Sequence, residues 1–121
     1  MAKWSKNNTT KDDILLIPPE FEKFRLISER AVVSDWKAFP FQEEGYFQWF
    51  LRMCDIGNQT KCDVKSVNKE KIINGYRTLS EQKLINLGRK YKAKYAISEV
   101  DYPELNKVYS NYYHIYRLKE L

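Results

Sequence analysis

The sequence lacks any apolar run close to the roughly 20 residues that a membrane-spanning helix requires. Its N-terminal stretch, MAKWSKNNTTKDD, is polar and has no apolar core of the kind found in signal peptides. Internal repeats, low-complexity tracts and linker-like segments are absent too. We therefore predict that residues 1–121 form a single domain, which is soluble when isolated.

Glycine, histidine and cysteine are also scarce. The four glycines are isolated from one another, which excludes a glycine-rich phosphate-binding loop. His114 is the single histidine, and no C-x-x-C pair exists, so a zinc site would need further ligands from scattered acids. We predict no metal, no cofactor and no catalytic residue in this chain, and we expect His114 on the surface of a strand.

The charges that are present are mixed. The 16 acidic residues are interspersed among 21 basic ones, which gives a net charge of +5 and predicts a solvated surface of both signs. Nine tyrosines and six phenylalanines raise a nucleic-acid-binding module as an alternative. Because most aromatics fall at helical or strand spacing, and no basic stripe or RNA-binding motif occurs, we expect no nucleic-acid partner.

The clearest strand signal is the apolar run Ile14–Ile17, which Pro18 and Pro19 terminate. Because it does not alternate with polar residues, the run is typical of a central parallel strand covered on both faces. We predict two further strands within Arg30–Lys37 and Ala93–Val100, and a β-hairpin that turns at Ser110-Asn111.

Helical periodicity occupies the segments between these strands. Residues 20–28 begin with acids, and residues 42–57 carry an apolar stripe that Gly57 should end as a C-terminal stop. We divide residues 66–91 into two helices near Gly75, because Thr78 and Glu81 have the spacing of a capping box.

The element order β-α-β-α-α-α-β-β-β predicts the fold. Strands that alternate with helices favour right-handed crossovers and a parallel sheet. We predict an α/β fold: a small three-layer sandwich with a mostly parallel sheet of order 2-1-3, extended by a C-terminal antiparallel β-hairpin.

This topology predicts a candidate ligand-binding rim. Ligands of open α/β sheets bind beyond the carboxyl ends of the strands. Asp35, Trp36 and Lys37 follow the second strand, Glu99 follows the third, and Arg25 is within reach from the first helix. The alternative is purely structural: Asp35 and Lys37 form a local ion pair, and Trp36 packs on a helix.

The two cysteines, Cys54 and Cys62, leave three possibilities open. They form a disulfide that closes a short loop, remain as free thiols, or have a metal or redox role.

Several motifs together resemble a known family. The first are a short helix with a tryptophan, then Asn-Thr, then Lys-Asp before an apolar strand that ends in Pro-Pro. After these come Phe-Arg, an Arg-x-Val-Val strand, Asp-Trp-Lys, Phe-Pro-Phe, and a helix in which Trp and Arg are three positions apart. In this chain they are Trp4, Asn8-Thr9, Lys11-Asp12, Pro18-Pro19, Phe24-Arg25, Arg30–Val33, Asp35–Lys37, Phe39–Phe41, Trp49 and Arg52. They resemble the soluble C-terminal domain of bacterial multi-pass membrane proteins. Some of those proteins are known only by a domain of unknown function, and others are similar to glycosyltransferases that use lipid-linked sugars.

The resemblance implies a non-catalytic accessory domain on the extracytoplasmic face of a bacterial membrane, within a larger chain. Its partners would be the membrane-embedded part of the parent protein and a glycan or lipid-linked sugar. A stand-alone small enzyme or ligand-binding protein that uses the rim is the alternative.

Overall fold

The computed structural model describes residues 1–36, 43–63 and 68–118. Within these ranges the elements are α1 (Ala2–Asn8), β1 (Ile14–Leu16), α2 (Phe24–Ser28), β2 (Ala31–Val32), α3 (Glu43–Ile56), α4 (Lys69–Arg77), α5 (Glu81–Tyr91), β3 (Tyr95–Ser98), β4 (Asn106–Ser110) and β5 (His114–Arg117). None of the helices in the described ranges is long and apolar enough to cross a membrane.

The strands form one mixed sheet of order β2-β1-β3-β5-β4. The predicted α/β class, the order 2-1-3 and the added hairpin are confirmed. The prediction of a mostly parallel sheet is wrong: β1 pairs in parallel with β2 and β3, but β5 pairs antiparallel with both β3 and β4. The reason is that the hairpin returns its second strand against β3 and so contributes as many pairings as the parallel strands do.

Helices cover both faces of β1, the middle strand of the parallel part of the sheet. Leu16 packs in a cluster with apolar residues of α3, α4 and α5, whereas Leu15 and Ile17 pack with Phe24 of α2 and Trp4 of α1. Leu15, Leu16 and Ile17 are completely buried. Burial of each such side chain contributes about 2 kcal/mol of transfer free energy, which explains why an unalternating apolar run forms this strand.

Helix α1 corresponds to the short tryptophan-containing helix that the family resemblance implies. Hydrophobic periodicity does not predict it, because its residues are mostly polar. Trp4 fixes it to the sheet: the indole stacks on Tyr109 with a centroid distance of 5.5 Å and meets Tyr95 edge-on at 6.3 Å.

The break between α4 and α5 differs from the prediction. Ser80, not Thr78, is the N-cap of α5, and its hydroxyl accepts a hydrogen bond from the Lys83 backbone N–H at 3.2 Å. The Thr78 hydroxyl instead donates to the Gly75 carbonyl at the end of α4. The predicted capping box is therefore wrong.

Gly57 and Gly75 are needed for close contact between α3 and α4. A Cβ atom on Gly75 would lie 1.6 Å from the Gly57 carbonyl oxygen. Helix α3 ends at Ile56, directly before Gly57 as predicted, but the left-handed residue at this end is Asn58, with φ of 55°, and not the glycine. Gly75 accordingly lies inside α4 rather than between two helices.

Candidate functional site

The carboxyl ends of β1, β2 and β3 meet at one edge of the sheet because these strands are parallel. We call this edge the strand-end rim and define it by Glu20, Arg25, Asp35, Trp36, Arg77 and Glu99. The segments after β1 and β2 are joined directly, since the Trp36 backbone N–H donates to the Pro19 carbonyl at 2.9 Å.

Asp35 and Arg25 form one half of the rim. Arg25 Nε donates to Asp35 Oδ2 at 3.0 Å; the Asp35 side chain is fully buried, and 47% of the Arg25 side chain is exposed. Asp35 Oδ1 has no hydrogen-bond partner among the residues that the structure describes. Removing Arg25 would leave a buried charge without compensation, so this pair constrains the rim strongly.

Trp36 packs on a helix. Its ring meets Trp49 of α3 edge-on, with centroids 5.6 Å apart, and the Trp49 indole N–H donates to the Asp35 carbonyl at 3.1 Å. These contacts agree with the structural alternative for Trp36. Lys37 lies outside the described residues.

Glu99 belongs to the other half of the rim. It forms an ion pair with Arg77 at the end of α4 and accepts a hydrogen bond from the Tyr112 hydroxyl at 3.2 Å. In the described part of the chain, no hydrogen bond or ion pair joins Glu99 to Asp35. The structure therefore places both predicted carboxylates on one rim but gives each its own arginine.

Sequence reasoning missed two of the rim residues: Arg77, described above, and Glu20. Glu20 follows Pro19 directly, and its Oε2 atom is buried without a hydrogen-bond partner in residues 1–36, 43–63 and 68–118. Burial raises the pKa of Glu20, and nearby Glu99 raises it further, whereas Arg77 acts in the opposite direction. Its position at the end of a central strand is the signal that could have identified it. A carboxyl group with a raised pKa can donate or accept a proton.

The two cysteines are paired. Cys54, buried near the end of α3, forms a disulfide with Cys62, and their Cα atoms are 5.6 Å apart.

His114 lies on β5, partly exposed. Its Nδ1 atom is 2.6 Å from the Ser110 hydroxyl oxygen. Within the described ranges, no group of three or more His, Cys, Asp or Glu side chains is arranged to hold a metal ion.

Comparison with known proteins gives one finding. Residues 1–56 match the model of a domain of unknown function (DUF6798). The matched segment contains Arg25, Asp35 and Trp36 but not Glu99, and it covers slightly less than half of the 121 residues. No curated protein and no solved structure matches the chain. The resemblance to a domain of unknown function is thus confirmed over this segment, and the match carries no indication of a membrane protein or a glycosyltransferase.

Proposed function

We propose that this chain is a non-catalytic accessory domain on the extracytoplasmic face of a bacterial multi-pass membrane protein of glycosyltransferase-like type. In this role it packs on the membrane-embedded part and assists recognition of a glycan or lipid-linked sugar. The observation that carries the proposal is an apolar surface on α2.

This surface, the α2 apolar patch, consists of Phe21, Leu26 and Ile27 with Met1 beside them. Leu26 is 81% exposed and Ile27 44% exposed. Ile27 also lines an apolar cleft of about 220 Å³, together with Met1, Ala2, Phe21, Lys23 and Phe24. Neighbouring exposed apolar side chains are typical of a contact surface.

The charge beside the patch fits a position next to lipid headgroups. Lys23 lines the apolar cleft, and Lys3 follows Ala2 on α1; both are exposed and form no ion pair with a described residue. An apolar surface bordered by lysines suits an apolar partner flanked by the phosphates of lipids or of a lipid-linked sugar.

The disulfide supports an extracytoplasmic location, because disulfides persist in oxidising compartments and are rare in the cytosol. The pairing of Asp35 and Glu99 with arginines supports a binding role rather than a catalytic one, since both carboxylates already have counter-ions.

Site-specific photo-crosslinking in the native host tests the proposal. A benzophenone amino acid replaces Leu26, and in the matched control it replaces the exposed Glu104. We expect position 26 to crosslink to a polypeptide segment that stays in the membrane after an alkaline wash, and position 104 to give no such product. Crosslinks only to water-soluble proteins, or none at either position, would contradict it.

A second candidate function, ligand binding at the rim, is favoured by the unpartnered oxygen of Glu20. The test is a titration with N-acetylglucosamine, followed by the ¹³C signals of the Glu20 and Glu104 side-chain carboxyl groups. We expect a saturable shift for Glu20 alone. An unchanged Glu20 signal at high sugar concentration would reject this sugar as a rim ligand.

A further inference from the structure

A second cleft lies at the β2 edge of the sheet, between α2 and α3. Its volume is about 330 Å³, at the small end of the range for ligand pockets. The residues that line it are Arg25, Val32, Val33, Ser34, Gly45, Gln48, Trp49 and Arg52. Among the described residues, this lining contains two arginines and no carboxylate, and the buried Asp35 behind Arg25 offsets one of the two positive charges.

Arg25 lines this cleft and at the same time forms an ion pair with Asp35 of the rim. Its Nε atom donates to the buried Asp35, and no described residue accepts a hydrogen bond from its two terminal nitrogens. Asp35 therefore fixes the guanidinium group and leaves its outer edge for a ligand. Because the terminal nitrogens form a planar fork, they match the oxygens of a carboxylate or phosphate.

Arg52 approaches the cleft from α3 and is fixed by two contacts. Its Nη1 atom donates to the Val33 carbonyl at 2.9 Å, and its guanidinium carbon lies 5.2 Å from the centre of the Tyr91 ring. Its Nε atom is buried and finds no acceptor within the described ranges. A buried donor without an acceptor is unfavourable, so an acceptor supplied by a ligand would stabilise this arrangement.

We propose that this cleft binds a small oxyanion, the phosphate or carboxylate group of a ligand, between Arg25 and Arg52. Gln48, Ser34 and Trp49 line the same cleft, and the first two carry neutral hydrogen-bonding groups.

The cleft beside the disulfide provides a contrast. That cleft, of about 250 Å³, is lined by both Asp55 and Lys83, and Lys83 already donates to Asn58 at 2.8 Å. A carboxylate in the lining repels an anion and offsets the charge of Lys83. The difference in lining charge singles out the cleft between α2 and α3 as the anion site.

The test is a titration of the ¹⁵N-labelled chain with sodium phosphate and, separately, sodium acetate, with sodium chloride holding the ionic strength constant. The Nε–Hε signals of Arg25 and Arg52 report on the cleft, and that of the exposed Arg89 is the control. We expect saturable shifts of the two cleft signals and none for Arg89. Saturation by phosphate alone, or by acetate alone, identifies the class of oxyanion.

Three variants complete the test. Gln48→Glu places a like charge beside the anion at an exposed position without removing an arginine, so the fold should be retained. We expect Gln48→Glu and Arg25→Gln each to raise the phosphate Kd by about tenfold or more. Arg89→Gln should leave the Kd unchanged. Linear, unsaturated shifts, or equal responses from Arg89, would overturn the proposal. The titration involves no membrane, so its failure would leave the accessory-domain proposal unaffected.

Discussion

Glu20 combines a half-buried side chain with an oxygen atom that no described residue hydrogen-bonds. Its neighbours Arg77 and Glu99 come from the end of α4 and the end of β3, so three elements determine its environment. Burial also raises the pKa of Tyr113, and Glu20 and Glu99 add to that effect. At the residue scale, these ionisable groups are coupled through the rim.

The raised pKa of Glu20 predicts a pH-dependent effect of Glu20→Gln on stability. A carboxyl group whose pKa is raised by folding stabilises the folded chain in its protonated form. This contribution is fully present below the unfolded pKa of about 4.5, and it is lost as the pH rises through the pKa of the folded state. Glutamine does not ionise. We expect Glu20→Gln to match the wild type near pH 4 and to be more stable at pH 7, as measured by urea unfolding.

The exposed Glu104 supplies the control for this comparison. Glu104→Gln should change stability little at either pH. A Glu20→Gln variant that is less stable than the wild type at pH 7 would show that ionised Glu20 is favourable in the folded state.

At the scale of elements, the contact between α3 and α4 depends on Gly75. Alanine is the better helix former by about 1 kcal/mol, so Gly75→Ala would stabilise an isolated helix. In this chain the added methyl group would overlap the Gly57 carbonyl oxygen and force the two helices apart. We expect a net destabilisation of about 2 kcal/mol or more in urea unfolding.

Asn74→Ala is the matched control, because Asn74 precedes Gly75 in the same helix and is exposed. It should be neutral or slightly stabilising. If Gly75→Ala proved as stable as this control, the close approach of α3 and α4 would be wrong.

Local sequence patterns predicted some of these elements, whereas contacts between distant residues could not be predicted. The run Ile14–Ile17 predicted a central strand because burial on both faces leaves no polar position. The sequence predicts a break near Gly75, whereas α4 continues to Arg77. The glycine at position 75 allows contact with Gly57, which is 18 positions away and therefore leaves no signal in the local spacing.

The same holds for the rim: Asp35 and Glu99 could be placed from strand ends alone. Arg25, the partner of Asp35, was also among the predicted rim residues, but Arg77, the partner of Glu99, was not. Arg77 reaches Glu99 only because α4 continues past Gly75, and the burial of Glu20 depends on the same tertiary packing.

At the scale of the whole molecule, the disulfide predicts a stability difference between oxidising and reducing conditions. Cys54 and Cys62 are separated by eight positions, and closing a loop of that length stabilises the folded state by about 2.5 kcal/mol in the chain-entropy model. We expect dithiothreitol to lower the free energy of unfolding by about this amount, measured in urea.

A double variant, Cys54→Ser with Cys62→Ser, should not respond to dithiothreitol. Titration of two free thiols in the untreated, denatured chain, with an unchanged urea midpoint after reduction, would contradict the disulfide.

The matched segment, residues 1–56, ends with α3, although its strand β1 lies between β2 and β3. Residues beyond 56 therefore provide one neighbour of β1 and, through α4 and α5, much of the packing around Leu16. A protein that contained only the matched segment would need a substitute strand and helical covering. It would have to obtain them from unrelated sequence in its own chain or from a second polypeptide.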